Sequence, residues 1–175
     1  DITNQDHERM ENRGDVPRDV THVRIDSSVR EIEDWPFENR RRLRIVILNK
    51  ELEEIWEYSF RDCASLEEIV ITNAVRAIEG WAFYDCTRLT RVTLGDGLEE
   101  IGRYAFAECR SLREILFPPS VRAIKLGAFR DCSELTTAIL NDGLEEIRDQ
   151  AFQDCRSLRE ILFPPCVRAI KNWAF

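Results

Sequence analysis

The stretch "CRSLREILFPPSVRAIKLGAF" fills residues 109–129, and "CRSLREILFPPCVRAIKNWAF" fills 155–175. Their first eleven letters are identical, so the chain duplicates either a chemical site or a structural unit. The closing phenylalanine decides between the two. Phe129 and Phe175 belong to a series with Phe37, Phe60, Phe83, Phe106 and Phe152, and every interval in it is 23 residues. A fixed period of roughly 20–50 residues is the mark of a solenoid, in which each repeat is one coil.

Other positions keep their character when counted from that phenylalanine. Six residues on stand Leu43, Leu66, Leu89, Leu112, Leu135 and Leu158. Nine and eleven on stand apolar pairs such as Val46/Leu48 and Ile115/Phe117, with one residue between them facing outward, the pattern of a half-buried strand. "GDG" at 95–97 and "NDG" at 141–143 supply turn chemistry, while the prolines of "FPP" at 117–119 and 163–165 stop the strand. Fifteen and eighteen on, pairs such as Leu52/Ile55 and Val121/Ile124 read as a second short extended piece. "AF-x-x-C" then reads as a compact helical turn with the phenylalanine in the core. The predicted fold is an α/β repeat solenoid of about seven coils. It has a parallel sheet on one face, a second face of short strands, and short helical turns. No coil buries its apolar face alone, and stacking builds one continuous core.

Residues 16–175 make up this solenoid, and 1–15 read as a polar N-terminal segment or linker. Val20, Val23, Ile25, Val29 and Ile32 keep the register, but Gly14 stands where the phenylalanine belongs, as in a degenerate first coil serving as N-cap. The chain stops at "NWAF", in mid-motif. That predicts a truncated C-terminus and leaves oligomerisation through the uncapped end open.

Apolar residues make up 43% and charged residues 33%, the composition of a folded protein with a heavily ionic surface. The net charge of −8 argues against nucleic acid, which needs a basic face. The basic cluster "NRRRLR" at 39–44 reads as a solvated turn. No apolar run approaches the ~18 residues of a membrane span, and the polar N-terminus lacks the apolar core of a signal peptide.

Repeats of the form "C-x-x-L-x-x-I-x-L-P-x-x-V-x-x-I-x-x-x-A-F" resemble the BspA-like leucine-rich repeats. The match runs over about 16–175, nearly position for position at 109–129 and 155–175. The departures lie in the first two coils, where Gly14 replaces phenylalanine and Arg40 replaces cysteine. The resemblance implies a curved leucine-rich-repeat solenoid that binds other proteins or surfaces. Bacterial and protozoan members are linked to cell adhesion, and the pattern carries no catalytic residues.

Cys63, Cys86, Cys109, Cys132 and Cys155 each follow a repeat phenylalanine by three, so they form one column; Cys166 is a corner residue. Parallel side chains ~4.8 Å apart do not converge into the tetrahedral ~2.3 Å shell that zinc requires. Disulfides between neighbouring coils have an acceptable Cα spacing but a poor starting torsion. Buried free thiols are the simpler reading, with Cys166 as a candidate reactive thiol. Reduced thiols favour a cytoplasmic setting, with an extracellular or cell-surface one as the alternative.

His7 and His22 are the only histidines, both ahead of the regular coils, so a nucleophile–base pair has little to draw on. The carboxylate pairs Glu53/Glu54, Glu99/Glu100 and Glu145/Glu146 recur as a solvated surface pattern. No catalytic, cofactor-binding or metal residues are predicted. Sixteen residues after each phenylalanine position runs Arg30, Glu53, Arg76, Glu99, Arg122, Glu145 and Arg168, alternating in sign without a break. In a stacked ladder this alternation turns repulsion into cross-coil attraction and specifies register.

Two columns are candidate partner sites. The outward strand position reads Ile47, Val70, Thr93, Leu116, Ile139 and Leu162, flanked by charges that include Glu68, Arg91 and Glu114. An apolar centre with a charged rim is interface-like, although aliphatic residues also simply suit a pleated ladder. Two before each phenylalanine stand Trp35, Tyr58, Trp81, Tyr104 and Trp173, which either form a platform for glycan or protein or pack over the turns. The sequence therefore predicts a non-catalytic domain that binds or scaffolds a protein partner through its outward strand face, without a cofactor. Two readings stay beside it: a secreted or cell-surface adhesion module for protein or glycan, and an accessory module of a larger enzyme.

Overall fold

The computed structural model describes residues 16–159 and 161–175. The segment 1–15, with His7 and Gly14, lies outside the described residues, as does Glu160. Among the described residues, each coil but the last contributes a long and a short strand. The long strands are β1 (His22–Arg24), β3 (Ile45–Ile47), β5 (Glu68–Val70), β7 (Arg91–Thr93), β9 (Glu114–Leu116) and β11 (Thr137–Ile139). The short ones are β2 (Glu31–Ile32), β4 (Glu54–Ile55), β6 (Ala77–Ile78), β8 (Glu100–Ile101), β10 (Ala123–Ile124), β12 (Glu146–Ile147) and β13 (Ala169–Ile170). All pairing is parallel, each residue meeting its equivalent one coil on, as Ile78 meets Ile101 and Val23 meets Val46. The seven short strands form one unbroken sheet.

The core is a set of columns. Phe37 through Phe152 are buried and their rings stack coil on coil, with centroids 4.9 Å apart at Phe37–Phe60 and 5.4 Å at Phe129–Phe152. The leucines at 43, 66, 89, 112 and 135 are fully buried beside them. A parallel ladder fixes the coil spacing near ~4.8 Å, close to the distance at which flat rings stack.

The third side corrects the expected helical turns: among the described residues it contains turns and no helix. The reason is in the backbone. Asn39, Asp62, Asp85, Glu108, Asp131 and Asp154 have positive φ two residues after the phenylalanine position, and Trp35, Tyr58, Trp81, Tyr104, Gln150 and Trp173 have it two before. Two left-handed residues four apart forbid a run of right-handed turns. The alternate N–H groups donate to the next coil instead: Phe37 to Ser59 O at 3.0 Å, Asn39 to Arg61 O at 2.8 Å, and Phe60 to Ala82 O at 2.7 Å. Asn and Asp tolerate this conformation. At Gly127 a Cβ would run into the Tyr104 ring, so there the side chain is omitted.

The long-strand side is not uniform. Thr90 and Thr136 donate their N–H groups back to Glu67 O and Arg113 O, each at 2.9 Å, and Ile71 and Phe117 donate forward to Thr93 O and Ile139 O at 2.8 and 3.1 Å. These bonds lie inside the pairs β5–β7 and β9–β11. Between the pairs, among the described residues, neither Arg113 to Thr90 nor Leu94 to Leu116 is bonded, and β7 meets β9 only at Arg91↔Glu114. The same gap separates β3 from β5, which share no ladder. The solenoid is thus built of coil pairs with a seam between them on one face. Glycine corners close two of these pairs. A Cβ on Gly95 would stand 2.6 Å from the Thr72 carbonyl, and one on Gly143 would stand 2.5 Å from Pro119 O, so each glycine corner nests on the coil before it. The coil after Gly95 turns instead at Pro118–Pro119, and the β5 coil at Thr72–Asn73, neither with a glycine to nest on its predecessor.

Candidate functional site

The outward column is built by strand alternation. In β3, β5, β7 and β9 the middle residue is buried and both neighbours face solvent. This leaves Ile47 46% exposed, Val70 59%, Leu116 56% and Ile139 46%, with Thr93 exposed between them and Leu162 75% exposed beyond. Ile45 joins the stripe from the flanking column, 46% exposed. The rim residues come together as ion pairs between coils: Arg91 Nη1 is 3.3 Å from Glu68 Oε1, and Arg44 and Arg88 each approach Glu67 Oε1 to 3.5 Å.

At the seam between β7 and β9 the face sinks into a dent of about 520 Å³. Its walls are Thr90, Arg91 and Thr93 on one coil, and Arg113, Glu114 and Leu116 on the next, with Leu94 half-buried in its floor. Arg113 was not among the residues singled out from the sequence. It lies one position ahead of the strand, in a column reading Thr21, Arg44, Glu67, Thr90, Arg113 and Thr136, and its approach to Glu134 Oε2 (3.6 Å) shows that it reaches over the same face.

The aromatic column is a stack. Trp35, Tyr58, Trp81 and Tyr104 lie face to face, with centroids 3.9, 5.2 and 5.6 Å apart, and the Arg103 guanidinium sits 4.4 Å over Trp81. Inner ring faces are covered by the neighbouring rings. Trp173, 74% exposed, stands apart, separated from Tyr104 by Gly127 and Gln150 in the same column. Tyr58, Trp81 and Tyr104 of the stack, with Tyr84, Arg61 and Glu108, line a second dent of about 440 Å³.

All six cysteines are free thiols. Each column member donates to the carbonyl of the phenylalanine one coil earlier, as Cys86 Sγ does to Phe60 O and Cys109 Sγ to Phe83 O, both at 3.2 Å. Burial pushes the Cys63 thiol up to about 12, and drives Cys86, Cys109 and Cys132 upward as well. A raised pKa removes thiolate and with it nucleophilicity. Cys166 is half-buried and donates to Leu144 O at 3.0 Å, the role that the Ser120 hydroxyl plays toward Leu98 O one coil pair earlier. Arg40, at the first cysteine position, is buried and bonds the Val16 carbonyl through Nε and Nη2 at 3.0 and 2.7 Å. Among the described residues, no group of three or more His, Cys, Asp or Glu side chains is placed to hold a metal ion, and no helix is long and apolar enough to cross a membrane.

The model of the BspA type leucine-rich repeat region matches in six copies, over residues 18–136 and 53–175. Among solved structures, the chain is similar to the T. pallidum leucine-rich repeat protein TpLRR, with 28% identity and a TM-score of 0.73 over 80% of this chain and 65% of that one. It is also similar to a leucine-rich repeat protein from Bacteroides ovatus, with 32% identity and a TM-score of 0.79 over 86% of this chain and 39% of that one. A leucine-rich repeat protein from Eubacterium ventriosum shares the fold at 22% identity, with a TM-score of 0.84 over 89% of this chain and 42% of that one. The chain therefore spans less than two thirds of the length of each of these three. No curated protein matches. The 23-residue coils, their stacked phenylalanines and cysteines and the repeat-model match together assign the chain to the BspA-type leucine-rich repeat family.

Proposed function

We propose that this solenoid is a non-catalytic interaction module that recognises a protein partner through its outward strand face. Leucine-rich repeat proteins are in general interaction scaffolds, and stacked coils present an extended surface suited to that role. The observation that carries the reading is the exposed column of Ile47, Val70, Leu116 and Ile139, aliphatic on every coil but that of Thr93 and rimmed by charge. Contiguous apolar surface with a polar rim marks interaction sites on soluble domains.

The test is a pull-down with wild type beside Leu116→Lys/Ile139→Lys. The double variant should lose most captured partners while keeping its circular dichroism spectrum and melting temperature. Equal capture by both proteins would remove the outward column as the binding face.

A further inference from the structure

The dent at the Leu94–Leu116 seam differs from the rest of the outward face. At the other described seam, between β3 and β5, Glu67 is flanked by Arg44 and Arg88, each at 3.5 Å, so cation and anion already meet there. At the β7–β9 seam a guanidinium stands on each side. Arg91 and Arg113 are 71% and 72% exposed, and the acids they approach, Glu68 and Glu134, belong to the coils outside the seam, at 3.3 and 3.6 Å. Glu114 is the one carboxylate among the lining residues. Thr93 interrupts the aliphatic column there, and the shorter side chain beside exposed Leu116 leaves the space open.

We infer that this seam anchors the partner, taking an acidic side chain between Arg91 and Arg113 while an aliphatic neighbour of that side chain rests on Leu116. The inference rests on the reading of the outward face given above. A planar guanidinium offers paired N–H donors that match a carboxylate, and two of them from neighbouring coils supply more donors than Glu114 consumes. The exposed pairs they now make are worth roughly 0–1 kcal/mol each, so exchanging them for a partner's carboxylate costs little. The seam is held by the single Arg91↔Glu114 bridge where its neighbours have three-residue ladders, so fewer hydrogen bonds resist adjustment of its two walls.

The probe is a display library of random dodecapeptides, panned against the 175-residue chain. Enriched peptides should pair Asp or Glu with Leu, Ile or Val. Their affinity should fall about tenfold or more in Arg91→Glu/Arg113→Glu, less in Arg91→Gln/Arg113→Gln, and also between about 50 and about 300 mM salt. Peptides that lose binding to Val70→Lys/Ile139→Lys but keep it through the arginine reversal overturn the anchor and leave the outward face standing. Peptides indifferent to both sets of substitutions, or no enriched peptides at all, overturn the face and the anchor together. Enrichment of Lys- or Arg-bearing peptides overturns the acidic class. Circular dichroism on every variant separates loss of binding from loss of fold.

Discussion

Three residues after each core phenylalanine a thiol points at a carbonyl in the coil before it, Cys63 Sγ to Phe37 O at 3.2 Å and Cys155 Sγ to Phe129 O at 3.1 Å. Cysteine suits this position because it is small, tolerates burial and carries a weak donor. Burial holds these thiols neutral, Cys63 up to about 12 from an ordinary 9.0. A thiol whose pKa rises on folding contributes fully below its unfolded value, and that contribution is lost as the pH climbs toward the folded one. Melting temperature should therefore stay level through neutral pH and fall above about pH 9, where unfolded thiols ionise and folded ones do not. Cys86→Ala/Cys109→Ala should flatten that alkaline limb in a melting series, since it removes two of the linked groups. An identical slope in wild type and variant would show that other groups carry it.

At the scale of the element, a glycine corner closes two of the three coil pairs, while in the first, β1–β3, Asn49 Nδ2 bonds Asp26 O and Val29 O at 2.6 and 2.9 Å. Gly95 stands where a Cβ would meet the Thr72 carbonyl carbon and oxygen at 2.6 Å, and neither backbone can move without opening β5–β7. Gly95→Ala should cost about 1–3 kcal/mol, a drop of a few degrees in melting temperature for a chain of this size. Gly80 is the control. A Cβ there would meet Arg103 Cγ at 3.1 Å and Glu57 Oε1 at 3.2 Å, both on flexible side chains, so Gly80→Ala should change the melting temperature far less. Equal losses at the two sites would contradict the nesting. The 46-residue identity carries this pairing in the later coils, where Pro-Pro corners at 118–119 and 164–165 alternate with glycine corners at 95–97 and 141–143.

Across the whole molecule the alternating charge column runs down one side without a break in sign. Its rungs are bonded backbone to backbone, Glu53 N to Arg30 O at 2.7 Å and Arg76 N to Glu53 O at 2.8 Å. Its side chains pair unevenly. Arg122 lies 3.3 Å from Glu145, Arg168 lies 3.8 Å from the same carboxylate, and Arg30 lies 3.9 Å from Glu53 while bonding Glu51 more closely, at 2.9 Å. Each exposed pair adds roughly 0–1 kcal/mol, so their sum is a minor part of stability. The repulsion avoided is the larger effect. Arg122→Glu would set a carboxylate between Glu99 and Glu145, and should lower the melting temperature more than Arg122→Ala does. Matching melting temperatures for the two variants would refute a register role for the column.

The period, the parallel stacking and the inward columns of Phe, Leu and Cys were all legible in the sequence, because each follows from an interval of 23 and from two-residue alternation. So was the outward position of Val70 and Leu116, since a strand that buries its middle residue must expose the next. The helical reading of "AF-x-x-C" failed for a local reason. Asp and Asn two residues after the phenylalanine hinted at left-handed backbone, but the same conformation at Trp35 and Tyr58, residues that rarely adopt it, has no signature in their identity. It is held by hydrogen bonds to the next coil and by ring stacking, which exist only once the coils are assembled. The seam, and with it the meeting of Arg91 and Arg113 around one dent, was likewise invisible along the chain. Whether two neighbouring coils close or gape depends on how each corner fits the coil before it, as Gly95 fits the Thr72 carbonyl, and that fit is a property of packed surfaces rather than of either coil alone.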